Sequence, residues 1–214
     1  MKIDIGQKLF IIWVLFPVFV FGADISSQKV IHNVEEKLIS AKTAKVKFEE
    51  IYIWKLTGEK QSLKGELFLK GKDQFRITTE DQIIVSDGKI LWTYSKPSNR
   101  VLIDKLSNSK DTLLPSQILF QYTRDYTARM GGEEKISGKP CYLLIFETAT
   151  GDVFIPRVKV WVDKKEWVPR KVEQTDLNEN RTIYLLSEIE IGISLNKDMF
   201  KFVVPKGAEV IDLR

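Results

Sequence analysis

The stretch Ile83-Ile84-Val85-Ser86-Asp87-Gly88-Lys89-Ile90-Leu91-Trp92-Thr93-Tyr94 constrains the fold more than any other part of the chain. Two runs of β-branched and aromatic residues flank Asp87-Gly88, a dipeptide suited to a tight hairpin turn because both positions tolerate φ > 0. With the turn centred there, Ile84 lies opposite Leu91 on one face, while Ile83, Val85, Ile90 and Trp92 share the other. Both faces are then apolar, whereas a sheet with one wetted side alternates oily and polar residues. Each side of this hairpin must be covered by protein or used as a binding surface.

The rest of the chain supplies mainly strands. Ile25 to Ser40 reads as a helix, with Ile31, Val34 and Leu38 in a stripe flanked by Val30 and Ile39, and Ser26 or Ser27 as its cap. From Ala44 the pattern changes: Val46 and Phe48 alternate with lysines, and Tyr52, Trp54 and Leu56 run to a turn near Thr57-Gly58. Leu63 to Lys70 pairs back, with Leu67 and Leu69 on one face and Phe68 on the other. Gly71-Lys72-Asp73 turns the chain into Phe75-Arg76-Ile77, where Phe75 and Ile77 share a face. Lys96 to Asn99 is a turn and Arg100 to Leu106 a strand. A polar loop, Ser107 to Thr112, precedes a short helix at Pro115–Tyr122 with Leu114, Ile118 and Leu119 on its apolar face. Further strands are expected at Tyr126–Met130, Cys141–Thr148, Val158–Asp163, Val168–Asp176 and Thr182–Ile191, before a short turn and a last extended segment.

The expected architecture is mostly β with some α: an incomplete, half-open antiparallel barrel of about 10–11 strands with a helical lid over its concave face. Strand twist accumulates across a large open sheet and curls it, and the two helical pieces are the only candidates to fill the hollow. Small helices fill such a hollow incompletely, so a cavity lined by apolar side chains follows.

Lys2 and Lys8, the thirteen-residue apolar run Leu9–Phe21 and the small pair Gly22-Ala23 have the layout of a secretory signal peptide. A spanning helix needs about twenty apolar residues. The reading is therefore a cleaved segment 1–23 and a single domain 24–214, exported and soluble. Removing Lys2, Lys8 and Asp4 lowers the formal charge from +4 to +3. Both signs are interspersed with no basic stripe, so nucleic acid is not indicated.

No chemistry-bearing constellation emerges. His32, the only histidine, falls beside the helix stripe, and Cys141, the only cysteine, lies in the apolar run Cys141-Tyr-Leu-Leu-Ile-Phe. A triad, a structural zinc site and a phosphate cradle all lack their residues. Glu49-Glu50 and Glu133-Glu134 read as solvated surface or turn pairs. The expectation is a non-enzyme without metal or cofactor. Five tryptophans and twelve phenylalanines, several of them in the leader, point instead to collective apolar surface. An exported half-barrel of that kind suits an acyl-chain or lipid carrier.

The hairpin also resembles that of the periplasmic outer-membrane lipoprotein carrier (LolA) family, through Ile84-Val85-Ser86-Asp87-Gly88-Lys89 with Leu91-Trp92 and Tyr94. Phe48, Gly65-Glu66-Leu67-Phe68-Leu69-Lys70, Phe75, Val172-Glu173-Gln174, Asp176, and Phe200-Lys201-Phe202 with Pro205 and Gly207 are similar in order and spacing. The resemblance implies a periplasmic carrier that takes a triacylated lipoprotein from an inner-membrane ABC transporter, shields its acyl chains and passes it to an outer-membrane receptor. It would act as a monomer. The candidate cavity and lid residues are Phe48, Leu67, Leu69, Phe75, Ile77, Ile84, Leu91, Trp92, Ile118 and Leu119. By position Phe75 matches an aromatic at the cavity mouth and Leu119 a lid residue. The family's Arg-Pro pair that latches the lid is Gly71-Lys72 here, with Lys72 or Arg76 as substitutes, and a point ammonium does not reproduce a guanidinium fork. The alternative is an envelope lipid-binding or lipoprotein-sensing module of the same fold. A lipidated receptor would need a cysteine at the mature start, and none stands there.

Overall fold

A computed structural model describes residues 25–108, 126–148 and 153–214. The expected leader 1–23 and the expected lid helix, with Ile118 and Leu119, lie outside these residues. Helix α1 (Ser27–Ala41) is followed by β1 (Thr43–Ile53), β2 (Lys60–Lys70), β3 (Gln74–Thr79), β4 (Gln82–Asp87), β5 (Ile90–Ser95) and β6 (Arg100–Lys105). Then come β7 (Thr127–Ile136), β8 (Lys139–Glu147), β9 (Arg157–Asp163), β10 (Pro169–Thr175), β11 (Arg181–Ile191) and β12 (Glu209–Asp212). All belong to one twelve-stranded sheet in the order β12-β6-β5-β4-β3-β2-β1-β11-β10-β9-β8-β7.

Two meanders, β1–β6 and β7–β11, are thus joined where β1 pairs antiparallel with β11, a contact between the two ends of the chain. The sheet is not wholly antiparallel as expected: β12 returns to pair parallel with β6. A chain that has turned back across a sheet meets its edge in either sense, and only adjacent hairpin strands must be antiparallel. The strand expected to end at Met130 instead runs on to Ile136 through a bulge in which Gly131 is the extra residue, between Met130 opposite Leu144 and Gly132, at φ 104, opposite Leu143.

The helix forms where its sequence asks, but its buried stripe is turned from the expected centre at Ile31, Val34 and Leu38 toward Val30. Ser26 caps it by accepting from the Lys29 amide at 3.2 Å. Val30 and Val34 form its buried centre, packed with Leu144, Phe146, Val158, Val160, Val162 and Val172 of β8–β10; Ile31 and Leu38 flank it. Ile39 is 63% exposed. The helix covers this face over β8–β10; over β2–β5, among the described residues, Leu106 of the 3-10 turn Leu106–Asn108 packs against Phe75 and Leu91.

On the opposite side of the sheet, β1 carries Lys45 and Lys47, paired with Glu66 at 3.2 Å and Glu188 at 2.6 Å, so that part is wetted. Around the hairpin the outer face is apolar, and the C-terminal segment covers it. Phe200 is 2% exposed and Phe202 stacks on Trp92 at 6.3 Å between centroids. Val85 and Val101 beneath are fully buried. Both apolar faces of the hairpin are accounted for: one lies under this strap, the other faces the hollow.

Candidate functional site: an apolar cavity

The hairpin turn bends at Gly88-Lys89, with Gly88 at φ 99, one residue later than expected. Asp87 Oδ1 accepts from the amides of Lys89 and Ile90 at 2.8 and 2.9 Å, which holds Asp87 outside the bend. Leu91 therefore pairs with Ser86, and Ile84 with Thr93. Moving the bend by one residue shifts each partner by two, so every side chain keeps its face. Ile84 and Leu91 share the inner side, and Val85 and Trp92 the outer.

The inner side forms rows across the sheet. Val46, Leu67, Ile77, Ile84, Thr93 and Leu102 are successive cross-strand partners, and Ala44, Leu69, Phe75, Ser86 and Leu91 make the next row. With Leu38 and Ile39 from the end of α1, and Leu186, Ile189 and Ile191 from β11, all of these but the fully buried Ser86 line a cavity of about 1250 Å³. That exceeds the roughly 300–1,000 Å³ of sites for drug-sized ligands. The strand period of two sets the lining.

Of the sequence-derived candidates, Phe48, Leu67, Leu69, Phe75, Ile77, Ile84 and Leu91 line this cavity. Trp92 does not; its parity places it under the strap, against Phe202. Phe75 is 2% exposed and clusters with Leu91, Leu67, Leu69 and Ile77, so it is packed wall rather than a mouth residue. Lys72 borders the cavity. Arg76, the other candidate for the latch, points the other way and donates from Nη1 to the Met199 carbonyl at 3.4 Å, tying down the strap.

The glutamate pairs need correction. Glu50 is not simple surface: alternation along β1 turns it into the cavity, while Glu49 faces out. Burial pushes its carboxyl above the usual carboxylate range, and a hydrogen bond with the Tyr184 hydroxyl pulls the other way. Counting the two-residue period from Phe48 would have found it. In the other pair, Glu134 Oε2 accepts from Trp161 Nε1 at 2.8 Å and Glu133 pairs with Lys164.

The remaining polar groups are structural. Asp163, 3% exposed, loses hydration, which raises its pKa. The amides of Glu166 and Lys165 and the guanidinium of Arg170, at 3.1 Å, outweigh this and hold it below the usual range. Cys141 is fully buried beside Leu143 and Trp161, and burial pushes its thiol up. His32 is an exposed helix residue 3.9 Å from Glu36. Among the described residues, no group of three or more His, Cys, Asp or Glu could hold a metal ion.

Residues 40–203 match the family model for the outer membrane lipoprotein carrier protein LolA. An outer-membrane lipoprotein carrier protein of Francisella philomiragia is 29% identical over 154 residues, covering 71% of this chain and 72% of its own. The corresponding protein of Azotobacter vinelandii is 23% identical over 212 residues, covering 96% and 99%. An uncharacterised protein of Methanocaldococcus jannaschii is 21% identical over 213 residues; the match spans 96% of this chain and 61% of that relative. Among solved structures, an uncharacterised conserved protein from Thermus thermophilus has a TM-score of 0.60 at 14% identity, over 86% of this chain and 98% of the other. That likeness is one of fold.

Proposed function

The chain belongs to the outer membrane lipoprotein carrier (LolA) family, and from that premise we propose that its cavity carries the acyl chains of lipoproteins across the periplasm. In this reading the mature chain, freed of residues 1–23, receives a triacylated lipoprotein from an inner-membrane ABC transporter. It shields the acyl chains against Phe48, Leu67, Leu69, Phe75, Ile77, Ile84 and Leu91, and delivers them to an outer-membrane receptor. It acts as a monomer, without catalysis. Ile118 and Leu119 serve as lid residues, and Lys72 is the latch candidate left once Arg76 is engaged with the strap.

The observation that carries this is the cavity itself: about 1250 Å³, walled mainly by aliphatic and aromatic side chains. The energetics support it. Burial is worth about 0.8 kcal/mol per methylene, so a tail of about a dozen methylenes is held by roughly 10 kcal/mol and would not cross water bare. Transfer then requires the donor and the acceptor to match that free energy closely.

The test is to purify the protein from its own envelope, extract it with organic solvent and identify the guest by mass spectrometry. Triacylated lipoprotein supports the carrier. Free phospholipid alone redirects the reading to a carrier of a different lipid, and a small polar metabolite overturns it.

A further inference from the structure

The cavity wall is not uniformly apolar along β1. Its inward row runs Ala44, Val46, Phe48, Glu50, and the facing strand β11 sets Ile191 against Ala44, Leu186 against Phe48 and Tyr184 against Glu50. Apolar rungs thus end on one rung made of a carboxyl and a phenol. Both flanks of that rung are aliphatic: Leu63 is the partner of Glu50 on β2, and Val172, fully buried, is the partner of Tyr184 on β10.

A carboxylate placed there gives up hydration, which costs free energy unless something replaces the lost water. Tyr184 supplies one hydrogen bond, and among the described residues Glu50 makes no ion pair, Lys64 bordering the same cavity without pairing with it. Since a carboxylate has about four acceptor positions on two oxygens, one phenol leaves most of them open toward the cavity. The raised pKa of Glu50 reports the same shortfall: a donor or positive charge arriving from the cavity would lower it again.

We propose that Glu50 and Tyr184 form the head-group subsite of the cavity, with acyl chains laid along the apolar rungs and an N–H group of the guest's head donating to the Glu50 carboxylate. The inference rests on the acyl-chain reading of the cavity and adds the polarity of its guest. The Tyr184 hydroxyl positions the carboxylate. An amide or an ammonium next to the tails satisfies the site, and an anionic head meets like charge. The donor can belong to an acylated polypeptide or to an aminolipid, both of which carry N–H groups beside acyl chains.

Isothermal titration calorimetry of the delipidated protein at pH 7.5 tests this with three amphiphiles of one tail length: dodecylammonium, N-dodecylacetamide and dodecanoate. Wild type is expected to bind dodecylammonium at least about tenfold more tightly than dodecanoate, with the amide between them, as for a hydrogen bond to a charged group. In Glu50→Gln, which keeps volume but loses charge, that ratio falls to within about twofold; a native circular-dichroism spectrum shows that the variant is folded. Equal affinities in wild type, or an unchanged ratio in the variant, overturn the inference and leave the acyl cavity standing. Should Glu50→Gln misfold, the wild-type ratio decides alone. If none of the three amphiphiles binds, the cavity reading falls and takes this inference with it. Displacement of N-phenyl-1-naphthylamine by a triacylated lipopeptide and by dimyristoylphosphatidylethanolamine, in wild type and variant, separates the two sources. Dependence on Glu50 for the lipopeptide assigns the subsite to the peptide amide, and for the phospholipid to the ammonium. Dependence for neither overturns it.

Discussion

Replacing Gly65 by alanine tests the cavity wall at its tightest point. Gly65 on β2 pairs with Phe48 on β1, and the missing side chain lets the Phe48 ring lie across the strand. A Cβ at Gly65 would stand 2.5 and 2.8 Å from Cζ and Cε1 of that ring and 2.9 Å from the Thr78 carbonyl oxygen. Carbon atoms in contact sit about 3.5–4.0 Å apart, so the overlap is about 1 Å. The carbonyl belongs to a strand of the sheet and yields little, which leaves the ring to swing into the hollow. Overpacking of this kind costs about 1–3 kcal/mol. In a chain of this length that lowers the melting temperature by about 2–4 °C per kcal/mol. Urea unfolding should show the midpoint falling at an unchanged slope, and binding of a cavity-filling amphiphile should weaken because the ring now occupies guest space. Removing the ring relieves most of the clash, so Gly65→Ala should cost at least about 1 kcal/mol less in a Phe48→Ala background than in wild type. A wild-type-like Gly65→Ala, together with strict additivity in the cycle, would refute this account of the wall.

The face assignment is tested by a contrast. Ile84→Glu should abolish uptake of long-chain amphiphiles, measured by fluorescence displacement, because it puts a charge on the cavity side. Trp92→Ala should cost about 1–3 kcal/mol in urea unfolding through loss of the strap contact and leave amphiphile binding in place. Asp163 has a depressed folded pKa, so its contribution to stability is present above its unfolded pKa of about 3.9 and is lost as pH falls through the lower folded value. Asp163→Asn should therefore flatten the acid limb of a stability–pH profile measured between about pH 2 and pH 5. The Cys141 thiol should resist a disulfide reagent such as Ellman's at pH 8 in the folded protein and react on unfolding, since it is fully buried with a raised pKa.

Much of this molecule is written locally. Helix α1 itself, its Ser26 cap, the strands from β1 to β6 and the sharing of a face by Leu67 with Leu69 and Phe75 with Ile77 follow from periodicity alone. Even the misplaced bend at Asp87-Gly88 did no harm to the faces, because register slips of two residues conserve parity. Trp92 shows the limit of reading by residue type. Its size and its place in the hairpin suggest a wall residue, yet parity alone sends it outward, and only the return of Phe202 shows what it meets. Glu50 shows the converse: a charged residue beside another charge looks like surface until the strand on which it alternates is known to wall a cavity.

Strand faces, turn chemistry and helix capping depend on neighbours within a few residues, so the chain order carries them. The join of β1 to β11, the parallel landing of β12 on β6 and the packing of α1 over β8–β10 depend on contacts far apart in the chain. The run of consecutive strands already points to a hollow, but no local residue pattern encodes its volume, which distant elements set between them. Its size and its lining emerge only once the twelve-strand register and the end of α1 are set against each other.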